Sequence, residues 1–163
     1  MIINLNGEVN EEMFQTLTDG INQSIDKNEQ ILIYFTSNGG LLHISDAMID
    51  VVNLFSDRVI LVGYGSLDSA AFLFYFSVNC ERKLLNGTTG MIHLPYFRTT
   101  LNLGNSAKDD VTKFNMKIGE SEKNDFILKL KSLGLTKQEL KKILDGTDLY
   151  FDYKRLLELN GKK

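Results

Sequence analysis

Ile31-Leu32-Ile33-Tyr34-Phe35-Thr36-Ser37-Asn38-Gly39-Gly40 sets five consecutive apolar residues against an abrupt polar and glycine break. A continuous apolar run of this length is what a strand buried on both faces requires, because neither face can carry exposed polar side chains. Ile31–Phe35 therefore reads as a central strand and Thr36 to Gly40 as the turn at its carboxyl end. Upstream, Ile2–Leu5 reads as a short strand closed by Asn6-Gly7. Asn10 is placed to cap a helix, with Glu11 and Glu12 in the first turn, where the positive end of the dipole favours them. Met13, Phe14, Leu17, Ile21 and Ile25 recur there at helical spacing. Downstream, a second amphipathic helix runs from Leu42 to Phe55 with Ile44, Ala47, Met48, Val51, Val52 and Leu54. Val59–Val62 reads as another buried strand, ended by Gly63-Tyr64-Gly65. Ser69–Phe76 reads as a short buried helix, and Lys83–Leu85 and Gly90–His93 as short strands flanking a turn at Asn86-Gly87. Strands alternating with helices in this way build parallel βαβ units with right-handed crossovers, so the predicted class is α/β.

The pattern changes after Pro95, the single proline of the chain. Tyr96 to Ser106 is polar and loop-like. Ala107 to Leu133 reads as one long helix with Val111, Phe114, Ile118, Phe126, Leu130 and Leu133 as a sparse apolar stripe. That stripe fits a projecting arm or a helix packed on the core, and periodicity leaves both open. Gly134 fits the end of this helix, and Thr136-Lys137-Gln138-Glu139 has the form of a capping box for another.

With 163 residues, 43% apolar and 24% charged, the chain is sized and balanced for one soluble domain. A net charge of −3 carries no basic footprint, so no nucleic-acid partner is expected. The lysines from Lys123 to Lys142 are interspersed with acids, as on a solvated helical surface. Cys80 is the sole cysteine, which excludes an internal disulfide and a cysteine metal cluster. No metal or cofactor is expected. The N-terminal residues lack the pattern of a signal peptide, and the longest apolar run, Ala70 to Phe76, is too short to span a bilayer. A cytoplasmic protein with no membrane partner is expected.

Functional residues of open α/β sheets gather at the carboxyl ends of parallel strands. Three such ends carry chemistry here. Ser37-Asn38-Gly39-Gly40 can bring backbone close to a ligand. Gly65-Ser66-Leu67-Asp68-Ser69 is a tight strand-to-helix turn with a serine where the helix offers free N–H groups. His93 follows a strand and precedes Leu94-Pro95. Taken singly, a Gly-Gly turn is usually a turn, a serine at a helix start a cap, and a strand histidine a core residue. Adjacent parallel strands would bring all three into one crevice, supplying a nucleophile, a base and oxyanion donors, the parts that acyl transfer needs.

Ser37-Asn38-Gly39-Gly40, Gly65-x-x-x-Ser69 and Met91-Ile92-His93-Leu94-Pro95 resemble, in order and nearly in interval, three motifs of the Clp protease proteolytic subunit. The family versions read Ser-Pro-Gly-Gly, Gly-x-Ala-Ala-Ser and Met-Ile-His-Gln-Pro. The resemblance runs from Ile2 to about Gly161, and Ser69-Ala70-Ala71 is closer to the phage-type members. It implies a Clp/crotonase-like superhelix of ββα and βαβ units with a mostly parallel sheet. Within one domain it implies a head core at 1–95, a handle-like loop and helix at 96–134, and a C-terminal helical segment at 135–163. Counted from Gly40, Ser69 falls on the family nucleophile; counted from His93, Asp68 does. A one-residue deletion around Asn79–Glu81, in a helix-to-strand loop, favours Ser69.

The resemblance implies a serine endopeptidase with Ser69, His93 and Asp148 as its triad, Asp145 and Asp152 being competitors for the third place. The N–H groups of Gly40 and Ala70 would hold the oxyanion. A peptide or unfolded protein would lie extended along Gly39, Leu41 and Leu42 on one side and Leu94, Pro95 and Tyr96 on the other. A homo-oligomeric ring is implied through the handle. A start at the first strand, without the family's N-terminal helix and axial loops, makes an ATP-dependent unfoldase partner doubtful. Asn38 stands where the family has proline, and Ser66-Leu67-Asp68 where it has small residues. These departures keep open a catalytically inactive binding or assembly module, and the shared core keeps a crotonase-type acyl-CoA enzyme as a lesser alternative. His43 is a further histidine near Gly40, more simply read as a solvent-facing helix residue.

Overall fold

The structure, a computed structural model, describes residues 1–27, 29–95, 120–121 and 123–161. In chain order the elements are β1 (Ile2–Asn6), α1 (Glu11–Ser24), β2 (Ile31–Ser37), α2 (Leu42–Leu54), β3 (Val59–Asp68), α3 (Ala70–Ser77), β4 (Glu81–Leu84) and β5 (Thr89–Ile92). They are followed by α4 (helical within 120–132), α5 (Lys137–Leu144), β6 (Leu149–Phe151) and α6 (Tyr153–Asn160). The strands form one sheet in the order β1-β2-β3-β5-β6, with β4 also paired to β3. All pairs are parallel except β5 with β6. The α/β class and the mostly parallel sheet are those expected from the sequence.

Two elements differ from expectation. β3 does not stop at Gly63-Tyr64-Gly65 but continues to Asp68. Its first half, Ile60 to Gly63, pairs with β4, and its second half, Ser66 to Asp68, pairs with β5. The glycines mark a change of partner. Gly63 leaves room for the Tyr75 ring, which an added Cβ would meet at 2.8 Å. Gly65 makes the bend at φ +62°, and Thr36 Oγ1 closes it by accepting from Ser66 N–H and donating to Ser66 C=O, both at 3.1 Å. The other addition is β6. Three residues are too few to show alternation, and only pairing with β5 makes Leu149–Phe151 a strand.

Burial in β2 alternates: Ile31, Ile33, Phe35 and Ser37 are fully enclosed and the residues between them half-buried. One face therefore meets the core, the other a thinner cover. All seven residues from Ala70 to Phe76 are buried, so α3 is enclosed on every side, as a helix apolar all round must be. Phe74 meets Phe35 edge-on at 4.8 Å, and Phe72 stacks on Phe151 at 5.1 Å, tying β6 to the centre. Phe126, Leu130 and Leu133 are buried in the same core, and Lys129 of α4 pairs with Asp46 of α2. This end of the long predicted helix is thus a core-packing element. Val111, Phe114 and Ile118, and the predicted loop from Tyr96 to Ser106, lie outside the described residues. Among the described residues no helix is long and apolar enough to cross a membrane.

Candidate active site

β3 ends at Asp68 and the chain turns through Ser69 into α3. Ser69 has φ +55° and ψ −119°, and it is the one non-glycine residue with positive φ among those described. Such a conformation costs about 1–3 kcal/mol and persists only where surrounding structure enforces it. Here the enforcing contacts are visible. The Ser69 N–H donates to Met91 C=O at 2.7 Å, and its carbonyl accepts from Leu73 N–H at 3.3 Å. Gly39 packs against the turn so closely that an added Cβ would lie 2.7 Å from Ser69 Cβ and 2.9 Å from Asp68 C=O.

Ser69 occupies the N-cap position of α3, yet its hydroxyl makes no cap bond. Instead Oγ lies 2.9 Å from His93 Nε2. The other ring nitrogen, Nδ1, lies 2.9 Å from Leu94 C=O. A carbonyl can only accept, so Nδ1 carries the proton toward it and Nε2 is left to accept from the serine. That is the tautomer a general base needs.

Two main-chain N–H groups, of Gly40 and Ala70, belong to residues beside Ser69. Ser37 Oγ accepts from Gly39 N–H at 3.0 Å, and Gly39 C=O accepts from Val9 N–H at 2.8 Å. In a trans peptide the N–H points opposite the C=O, so Gly40 N–H is turned away from Val9. Gly40 must be glycine, with φ +149° and an added Cβ only 2.3 Å from Val9 C=O. Ala70 N–H is the first of α3 and has no partner within the helix. Both residues line a cleft of about 440 Å³ that holds Ser69 and His93. Its walls are mostly apolar, from Leu41, Leu42, Leu73, Ile92, Pro95 and Phe126.

The other expected residues fall differently. The Leu41 main chain is already engaged, its N–H donating to Val9 C=O at 2.8 Å and its C=O accepting from Ser45 N–H at 3.1 Å. It offers the cleft a side chain. Leu94 packs against the core, and Tyr96 lies outside the described residues. Asp148 is exposed. The β5–β6 register, with Ile92 opposite Leu149, places it across from His93 one step past the ladder. Asp152 caps α6, accepting from Arg155 N–H at 2.8 Å, and Asp145 is the exposed C-cap of α5. Asp68 is held by Ser66 Oγ at 2.6 Å. His43 is exposed on α2 and does not line the cleft. Among the described residues no cluster of ligands could hold a metal. The sequence carries no signal for the hydrogen bonds that Val9, Met91 C=O and Leu94 C=O make to Gly39, Ser69 and His93. Phe126 showed only as part of an apolar stripe.

Among solved structures the chain is similar to a ClpP1 mutant from Listeria monocytogenes, with a TM-score of 0.70 and 19% identity. The match covers 98% of this chain and 86% of that one, and at this identity it speaks to the fold. No curated protein sequence matches. The Clp protease family model matches residues 1–146, from the first strand past the end of α5 and stopping just before Asp148. A match over most of the chain, on the fold described above, shows that the protein belongs to the Clp protease family.

Proposed function

We propose that this member of the family is an active serine endopeptidase that hydrolyses peptide bonds through an acyl-enzyme, with Ser69 as nucleophile and His93 as base. The observation that carries the reading is the 2.9 Å approach of Ser69 Oγ to His93 Nε2, made from a strained turn by a hydroxyl not used as a cap. As Oγ attacks the scissile carbonyl, its proton passes to Nε2. The tetrahedral oxyanion is met by the N–H groups of Gly40 and Ala70, and losing one such donor typically costs about 10²–10³ in rate. Nε2 then gives its proton to the leaving amine. A water, deprotonated by the same nitrogen, cleaves the ester and restores Ser69.

The apolar cleft fits an apolar substrate side chain beside the scissile bond. The engaged Leu41 main chain leaves the Leu94–Pro95 side as the one to pair with an extended peptide. Asp148, which the family resemblance offers as third member, would act on His93 through screened charge from its exposed position. We further propose a homo-oligomeric ring.

A second reading, an inactive binding module, draws on the Asp68 carboxylate beside the nucleophile. Its hydrogen bond from Ser66 favours the active reading, because it engages that carboxylate within β3. Intact-mass labelling with a fluorophosphonate tests the choice. One adduct on the wild-type protein, lost in both Ser69→Ala and His93→Ala, is the expected result. A folded, assembled protein that takes no adduct makes the inactive module the correct reading.

A further inference from the structure

We propose that Glu8 is a specificity-determining residue, whose carboxylate selects peptides that carry a lysine or arginine close to the scissile bond. The inference rests on the peptide-cleaving reading above and names a substrate class for it. Beside the apolar cleft that holds Ser69 and His93 lies a second cavity of about 550 Å³, lined by Gly7, Glu8 and the turn from Thr36 to Gly40. The two share Asn38 and Gly40, so an extended chain lying over the Gly39-Gly40 turn passes from one into the other.

Main chain holds Glu8 at this place. Its neighbour Val9 forms a parallel bridge with Gly40, donating to Gly39 C=O and accepting from Leu41 N–H, both at 2.8 Å. Gly40 lies against the glutamate stem, for a Cβ added there would come within 2.9 Å of Glu8 Cγ. The carboxylate is therefore carried beside the residue whose N–H is proposed to meet the oxyanion. It is exposed, and among the described residues no hydrogen bond or ion pair engages it. Among the described residues lining the two cavities, Glu8 has the one carboxylate, and there is no lysine or arginine. Asp68, the other acid near the nucleophile, is engaged by Ser66 Oγ at 2.6 Å. Past Glu8, a third cavity between β1 and the first turns of α1 adds Glu12, so the charge in this direction keeps one sign. Unpaired negative charge bordering a substrate path attracts a basic side chain and repels an acidic one, and so discriminates by both effects. The pair would form in contact with solvent, which makes the preference modest and sensitive to salt.

The test uses short fluorescein-labelled peptides with a central leucine in an alanine and serine background. A lysine, glutamine or glutamate is walked through the positions on either side of the leucine. Binding to the full chain carrying Ser69→Ala, read by fluorescence anisotropy, separates recognition from turnover. At about 50 mM salt the lysine peptide should bind about tenfold tighter than the glutamate peptide at one or two adjacent positions, falling to about twofold at about 500 mM. Adding Glu8→Gln should bring the low-salt ratio below about twofold, and adding Glu8→Lys should invert it, with folding checked by thermal melting. A preference equal at every position, as the net charge of −3 alone would produce, overturns the proposal, as does one that survives Glu8→Lys. Hydrolysis of the same peptides by the wild-type protein separates this inference from the protease reading. Cleavage at rates indifferent to charge keeps the protease and sinks the Glu8 subsite. A Glu8-dependent binding preference without any cleavage sinks the protease and keeps the subsite.

Discussion

Thr136 and Ser69 occupy the same position in their helices and use their hydroxyls differently. At α5, Thr136 Oγ1 accepts from Glu139 N–H at 3.2 Å while Glu139 accepts from Thr136 N–H at 2.6 Å, a complete capping box. Asn10 and Asp152 cap α1 and α6 by a single such bond each, accepting from Met13 N–H and Arg155 N–H. These three caps are local, each closed within four residues and with extended backbone at the cap. Ser69 is bound instead by groups distant in sequence: Met91 C=O on its N–H, His93 on its hydroxyl and Gly39 against its Cα–Cβ. A helix start enforced from outside does not need its own cap, which frees the hydroxyl for chemistry. The cost is a backbone conformation that a serine rarely adopts.

The comparison can be broken most sharply at Ser69. Ser69→Ala should reduce peptide hydrolysis by on the order of 10⁴–10⁶. Its melting temperature should stay within a few degrees of wild type, because no cap is lost. A large thermal shift would show the hydroxyl to be structural. Next in size is Gly39→Ala. Its Cβ would meet Ser69 Cβ at 2.7 Å, with backbone alongside, and φ is +102°. Displacement of the turn should cost about 10²-fold in labelling rate and about 2 kcal/mol in stability, read by kinetics and urea unfolding. Thr136→Ala sharpens the contrast from the other side, with a loss of about 1 kcal/mol in urea unfolding and unchanged labelling.

The smallest effect is confined to acid. Burial would raise the Glu139 pKa, but hydrogen bonds from Arg155 and from Thr136 outweigh it and lower it to about 2, from an ordinary value of 4.5. A depressed carboxylate stabilises the fold above its unfolded pKa, and that contribution is lost as pH falls through the folded value. Unfolding followed between pH 5 and 2 should therefore show a stability loss that Glu139→Gln removes, with the variant already weaker at neutral pH. Coincident acid limbs for the two proteins would show that the Arg155 pair contributes nothing.

Much of the head was legible from residue order. Ile31–Phe35 declared a buried strand, Asn10-Glu11-Glu12 a helix start, and Thr136 to Glu139 a capping box, each because the signal lies within a few residues. The three strand ends bearing Gly39-Gly40, Ser69 and His93 were legible too, although composition alone made each an ordinary turn, cap or core residue. The continuation of β3 was not. Gly63-Tyr64-Gly65 looks like a terminus unless one knows that the strand changes partner there from β4 to β5. Nor was β6, which exists only through its pairing with β5.

By itself the sequence determined the α/β class, most helix boundaries and which residue types sit at the carboxyl ends of the strands, since periodicity and capping act over a single turn or strand. The tertiary structure alone decided which of those residues meet. Ser69 and His93 are 24 positions apart, and Thr36 grips Ser66 from 30 positions away. Distances of this kind follow from strand order and register, which many sequences with the same local pattern could satisfy differently.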